Sequence, residues 1–251
     1  MRRIRMSKIA VIIPSRLAAQ RLPNKPLELI NDKEMILHVY NNAVQSNVGE
    51  VYVATPDKSI EELIKKNNGK AILTKTSHST GTDRVFEAVQ NSLQNKPEVI
   101  INLQGDMPNI NPKAISFLSN HMLKGQSQIA TLASKMEKKE IKDQNIVKVK
   151  TQSKIDDSLF SSAVDFFRSS NENTLENVYH HIGIYAFTYE ALLRYVNLKR
   201  TSLEIERNLE QMRALQNKIN IEVGFTSSSP LSVDTFEDLE KIRSMMRKNK
   251  W

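Results

Sequence analysis

Short apolar runs punctuate the first hundred residues, separated by longer polar segments with helical spacing. Ile9–Pro14 (IAVIIP) is continuously apolar and closed by proline, the pattern of a strand buried on both faces. Over residues 34–45, Ile36, Val39, Tyr40 and Ala43 fall on one helical face. Glu50–Thr55 (EVYVAT) reads as a second strand, residues 59–67 as a short helix with Gly69 as its stop, and residues 70–74 as a third strand. Residues 83–93 return to helical spacing through Val85, Phe86 and Val89, and residues 98–103 form another buried strand that runs into Gln104-Gly105-Asp106. This alternation predicts an α/β chain with a parallel sheet and crossover helices.

Beyond residue 128 the pattern loosens. Ile129–Ser134 and residues 146–151 and 182–188 read as strands with longer polar stretches between them. Residues 204–216 read as one helix carrying Leu209, Met212 and Leu215, 219–223 as a strand, and 235–247 as a terminal helix capped by Thr235 or Asp234. No repeat and no Pro/Gly/Ser linker divides residues 1–251, so the expectation is one domain with an inserted arm at roughly 130–200.

The 251 residues are 39% hydrophobic and 25% charged, sufficient for a core and unlike a disordered chain. No apolar run approaches the ~20 residues of a membrane helix, and no apolar stretch of signal-peptide length follows the basic opening. The expectation is a cytoplasmic protein without membrane insertion. With no cysteine, disulfides, thiolate metal sites and cysteine nucleophiles are excluded. A net charge of +8 suits nucleic acid and phosphorylated small molecules equally. Aromatics are only 6% and do not alternate with basic residues, so no nucleic-acid partner is expected.

Candidate chemistry gathers at strand ends. The loop over residues 14–27 carries Arg16, Arg21 and Lys25 between prolines, directly after the first strand, where α/β sheets bind ligands. Three clustered cations suit a triphosphate. The loop is neither a Walker A sequence nor a GxGxxG turn. Asp106 ends another strand after a glycine and can hold Mg²⁺ on substrate phosphates, with Asp234 as a second ligand. Asp234 reads equally well as a helix cap. Thr80, Gly81 and Arg84 lie in a hydroxyl-rich stretch suited to a base or ribose, or simply to an N-cap box on Thr82. His180-His181-Ile-Gly-Ile-Tyr185 lacks a third metal ligand at suitable spacing, which leaves a hydrogen-bonding substrate contact for one histidine. Glu210 and Gln211 interrupt the late helix, where exposed Glu204–Arg207 and Glu210–Arg213 pairing is the plainer account.

Six motifs in order, IIPSRLAAQRLPNKPL, TGTDR, NLQGDMP, HIGIYAF, LEQMRAL and VDTFEDLE, resemble the 3-deoxy-manno-octulosonate cytidylyltransferase family over nearly the whole chain. The resemblance implies a Rossmann-like nucleotide-diphospho-sugar transferase fold: a mostly parallel mixed sheet flanked by helices, with an inserted dimerisation arm. It implies a homodimer that transfers CMP from CTP to 3-deoxy-D-manno-octulosonate (Kdo), releasing pyrophosphate, for lipopolysaccharide synthesis, with Mg²⁺ as cofactor. Carried over by position, Arg16 and Lys25 contact the CTP phosphates, Thr80 and Gly81 the cytosine, and Arg84 the nucleotide. Asp106 and Asp234 hold Mg²⁺, and Arg16, Lys25, Asp106 and Asp234 form the catalytic set. Gln104, His181, Tyr185, Glu210 and Gln211 line the sugar-acid side. The chain departs from the family pattern at Asn24 (glycine expected), Met107 (glutamate), Arg207 (glutamate) and residues 161–168, where a Ser-Arg-x-x-Ile-Pro stretch is expected. Alternatives are a cytidylyltransferase for sialic acid or a modified Kdo, or a catalytically silent nucleotide-binding paralogue.

Overall fold

The structure, a computed structural model, describes residues 8–18, 21–125, 127–168 and 175–248. The chain divides into two compact units, Met1–Ser116 with Pro230–Trp251, and Phe117–Ser229.

In the first unit the apolar runs become strands β1 (Ile9–Pro14), β4 (Glu50–Thr55), β5 (Ala71–Leu73) and β6 (Val99–Leu103), all parallel in the order β5-β4-β1-β6. Crossovers run through α1 (Met35–Gln45), α2 (Lys58–Lys66) and α3 (Gly81–Ser92). A small hairpin, β2 (Leu29–Ile30) and β3 (Lys33–Glu34), precedes α1 and turns through Asn31 and Asp32, both at positive φ as such tight turns require. β1 is buried at every position, as its apolar run predicts. The stop of α2 lies where expected but is shared differently: Asn68 takes the left-handed conformation (φ 59°), while Gly69 provides room, since a Cβ there would lie 2.7 Å from Ile64 Cγ2. Helix α4 (Pro112–Leu123), which the apolar pattern does not announce, contains the boundary between the units.

The second unit holds β7 (Ile129–Ser134), β8 (Lys148–Thr151), β9 (Phe160–Phe167), β10 (Val178–Thr188) and β11 (Ile221–Phe225), with helices α5 (Tyr189–Val196), α6 (Ser202–Arg207) and α7 (Met212–Gln216) between the last two strands. The order β10-β7-β11-β9-β8 closes on itself, because β8 also pairs with the first residues of β10. Among the described residues of this unit only β7 and β11 pair in parallel; the other pairs are antiparallel. The single helix expected over 204–216 is broken. Asn208 ends α6 in the left-handed conformation (φ 52°), which α-helix geometry cannot pass through, and α7 starts after a turn at 209–211. The predicted pairing of Glu204 with Arg207 is also corrected: Glu204 faces inward and binds Arg213 and Arg200.

The chain then returns to the first unit with α8 (Phe236–Lys248). Leu22, Ile30, Met35, Val233, Leu239 and Ile242 form one buried cluster, so the basic loop, the hairpin and α8 share a core. Among the described residues no helix is long and apolar enough to cross a membrane.

Candidate active site

Strand order in the first unit reverses at β1, whose neighbours β4 and β6 are reached by connections running in opposite senses. Ligands of open α/β sheets bind beyond the strand ends at such a switch point. Here those ends carry the basic loop, after β1, and Gln104-Gly105-Asp106, after β6.

The basic loop is pinned at both ends. Ser15 N–H donates to Ala54 O (2.9 Å) and Leu17 N–H to the Asp57 carboxylate (2.8 Å). Leu22 anchors the far side in the core, and residues 25–27 form a 3₁₀ turn. Asn24 enters that turn at φ 57° and ψ 18°, the region glycine occupies freely and asparagine tolerates best among the other residues. Ala19 and Gln20 lie outside the described residues.

Lys25 is thereby aimed at both acidic candidates. Its Nζ donates to Asp106 Oδ2 (3.3 Å) and Asp234 Oδ1 (3.0 Å), and Arg21 pairs with Asp234 Oδ2 at 2.9 Å. Backbone geometry brings the two aspartates together: Val233 N–H donates to Asp106 O at 2.9 Å. Gly105 permits the turn, because a Cβ there would lie 3.2 Å from Pro14 O. Burial would lower the Lys25 pKa, but Asp106 and Asp234 together outweigh it and hold the ammonium above its ordinary range. The capping role open to Asp234 falls to its neighbour. Thr235 Oγ1 accepts from Asp238 N–H and the Asp238 carboxylate accepts from Thr235 N–H, which leaves the Asp234 carboxylate to the two cations. Met107 is buried and supplies no ligand.

The nucleotide candidates gather at the start of α3. Thr80, not Thr82, is the N-cap: its Oγ1 accepts from Asp83 N–H at 3.1 Å. Thr82 is buried and accepts from Asn102 Nδ2, while Asn102 Oδ1 accepts from Gln104 Nε2 at 3.0 Å. Gly81 lies beside Gln104, 3.6 Å separating the Gln104 amide atoms from where a Cβ would stand. Arg84 is buried and donates to Thr74 Oγ1 (2.5 Å) and Lys75 O (3.0 Å). Burial first and the nearby exposed Arg16 second lower its pKa, against the pull of Asp57 and Glu87.

Within the second unit, His181 and Tyr185 come together through a bulge in β10. His181 stands opposite Ala133 and Tyr185 opposite Thr131, so four residues of β10 match two of β7. In a regular strand the pair would be ~13 Å apart; the bulge brings the ring centroids to 5.3 Å. His181 is buried, its pKa pushed down to about 3 by burial and then by His180. Burial, with Tyr195 and Glu210 adding, pushes the Tyr185 phenol well above its ordinary value, and among the described residues its hydroxyl has no hydrogen-bond partner. Glu210 and Gln211 occupy the turn between α6 and α7; Tyr195 Oη donates to Glu210 O at 2.7 Å.

Three contributors escape the motif reading. Asp57 orients the basic loop from the next strand's end, Ser15 presents a buried hydroxyl that has no partner among the described residues, and Thr131 binds His181 from β7. Asp57 and Thr131 act through contacts distant in sequence, so spacing carries no trace of them. Arg207 and Asp165, both departures from the expected pattern, pair with each other at 2.5 Å.

A family model for cytidylyltransferases matches residues 10–221. The 3-deoxy-manno-octulosonate cytidylyltransferase of Rhodopseudomonas palustris is 40% identical over 235 residues, 93% of this chain and 95% of that one. That of Rickettsia canadensis is 38% identical over 236 residues, 94% of each chain. A solved CMP:2-keto-3-deoxy-manno-octonic acid synthetase complexed with CTP matches with a TM-score of 0.86 at 35% identity, covering 96% of this chain and 99% of that one. A UTP-bound UGPase from Acinetobacter baumannii, at 12% identity and a TM-score of 0.69, shares the fold over 98% of this chain and 95% of its own.

Proposed function

The chain belongs to the 3-deoxy-manno-octulosonate cytidylyltransferase family, and from that premise we propose which residues carry each part of the reaction. The enzyme transfers CMP from CTP to Kdo and releases pyrophosphate. The anomeric hydroxyl of Kdo attacks the α-phosphorus of CTP in line: the new O–P bond forms, the bond to the bridging oxygen of pyrophosphate breaks, and the hydroxyl proton leaves to solvent. No protein nucleophile is required, so positioning and charge do most of the work.

The observation that carries this reading is the convergence of Lys25, Asp106 and Asp234 beyond the ends of β1 and β6. Arg16 and Lys25 offset charge on the triphosphate and on the departing pyrophosphate. Thr80 and Gly81 face the cytosine, and Arg84, buried behind them and held by Thr74 and Lys75, supports the nucleotide. Two carboxylates that share one ammonium also suit one small hard cation. Among the described residues no group of three or more His, Cys, Asp or Glu is assembled for a metal. That sparse oxygen set fits Mg²⁺, which takes one or two carboxylates and completes its shell with phosphate oxygens and water. When bound, Mg²⁺ neutralises phosphate charge and polarises the reacting phosphoryl group. Asp106 and Asp234 would hold it.

Gln104, His181, Tyr185, Glu210 and Gln211 read the sugar acid. The protein acts as a homodimer in the cytoplasm, with residues 161–168 in the dimerisation arm. The decisive test measures pyrophosphate release with CTP and Mg²⁺ in three parallel reactions, containing Kdo, sialic acid or no sugar. Release with Kdo alone is expected. Release with sialic acid alone moves the acceptor, and none with either sugar while CTP still binds points to a silent paralogue.

A further inference from the structure

We propose that Thr131 is a positioning residue for the acceptor: its hydroxyl fixes His181 as the Nε2–H tautomer, which leaves Nδ1 as a hydrogen-bond acceptor for a sugar hydroxyl. The inference rests on the assignment of His181 to the sugar acid. Thr131 has one proton to give and is wholly buried. Ile184 O, which can only accept, lies 2.7 Å from its Oγ1, and Ile182 O lies at 3.4 Å. The proton is therefore committed to backbone carbonyls. The remaining contact, His181 Nε2 at 3.0 Å, is then satisfied only if the ring nitrogen donates. A neutral imidazole carries one N–H, so Nδ1 is bare.

The β10 bulge is what allows this arrangement. Two extra residues between His181 and Tyr185 turn both the Ile182 and Ile184 carbonyls toward Thr131. They also place the partnerless Tyr185 hydroxyl beside the histidine. The unit thus offers an acceptor on His181 and a donor on Tyr185 a few ångströms apart. Neighbouring oxygens of a polyhydroxylated acid present the complementary donor and acceptor. Burial that keeps His181 neutral and the Tyr185 phenol protonated preserves the pair across the neutral pH range.

Two measurements test this. Long-range ¹⁵N–¹H correlation of the imidazole in the unaltered protein at pH 7 should show His181 as the Nε2–H tautomer, and the Nδ1–H or cationic form would overturn the proposal without any variant. In Thr131→Val, which keeps the shape but removes the acceptor, the tautomers should mix. KM for Kdo should rise roughly five- to tenfold, the value of a neutral hydrogen bond, with KM for CTP unchanged. Thr131→Ser should restore both tautomer and KM. Ordinary Kdo kinetics in Thr131→Val would overturn the role of Thr131 alone, whereas no CMP-Kdo formation by the unaltered enzyme would overturn the acceptor reading beneath it.

Discussion

Asp106 and Asp234 share Lys25, so replacing either carboxylate leaves the ammonium to the other. Asp106→Asn is expected to lower kcat by roughly a hundredfold or more, the scale on which lost electrostatic assistance is felt. Its far-ultraviolet circular dichroism should be unchanged, and calorimetric titration with Mn²⁺ and CTP should show weakened metal binding. Full turnover in that variant would remove Asp106 from the catalytic set. His181 gives a second expectation. Its pKa is depressed to about 3 in the folded chain against an ordinary value near 6.5, so the unfolded chain binds the proton more readily. The stability contributed by neutral His181 is present above pH 6.5 and is lost as pH falls toward 3. Between pH 6.5 and 5, His181→Gln should therefore lose about 1.5 kcal/mol less stability than the unaltered protein, measured by urea unfolding. At this scale the cations and carboxylates were legible because charged residues at strand ends are conspicuous. The cap falls on Thr80 and not on Thr82 because α3 begins at Gly81, which puts Thr82 inside the helix, where its hydroxyl accepts from the buried Asn102 amide.

Helices α6 and α7 are joined by an ion pair that a helical wheel cannot show. Glu204 is 0% exposed and accepts from Arg213 Nε (2.8 Å) and Nη2 (2.6 Å), with Arg200 as a third donor. Arg213 also stacks over Tyr195, 4.7 Å from the ring centroid. Burial would raise the Glu204 pKa, but Arg213 and Arg200 outweigh it and hold the carboxyl below its ordinary value. Replacing one member strands the other charge away from water, so Glu204→Gln is expected to cost about 3 kcal/mol by urea unfolding. The same change should loosen the turn bearing Glu210 and Gln211 and raise KM for Kdo more than KM for CTP. Elements with uniform surroundings were the readable ones: β1, β4 and β7 keep the bounds their apolar runs predict. α4 hides because Ser119 and His121 are buried among its apolar residues. β9 hides because it reverses the usual code, burying Ser161 while leaving Val164 56% exposed. α5 was within reach, since Ala191, Leu192 and Tyr195 share a face behind the Thr188 cap.

At the level of the molecule, the parallel half was written plainly in the alternation of strands and helices, and the ring of five strands was not. Pairing between β8 and β10 joins segments separated by a loop and a whole strand, and the polar stretches around them carry no period. The described residues of the second unit leave Leu159, Val164 and Ile205 exposed, apolar surface consistent with the inferred arm. Sedimentation at micromolar concentration should give a dimer, and Val164→Glu should shift it toward monomer. A monomer for the unaltered chain would place the arm outside any self-association. The first unit, finally, is assembled from both termini of the chain, with Val233 and Asp234 supplied by the last segment. A ribosome therefore exposes Lys25 and Asp106 long before the residue that completes their triad exists. A product of translation that stops before residue 234 lacks Asp234, so such copies should consume no CTP.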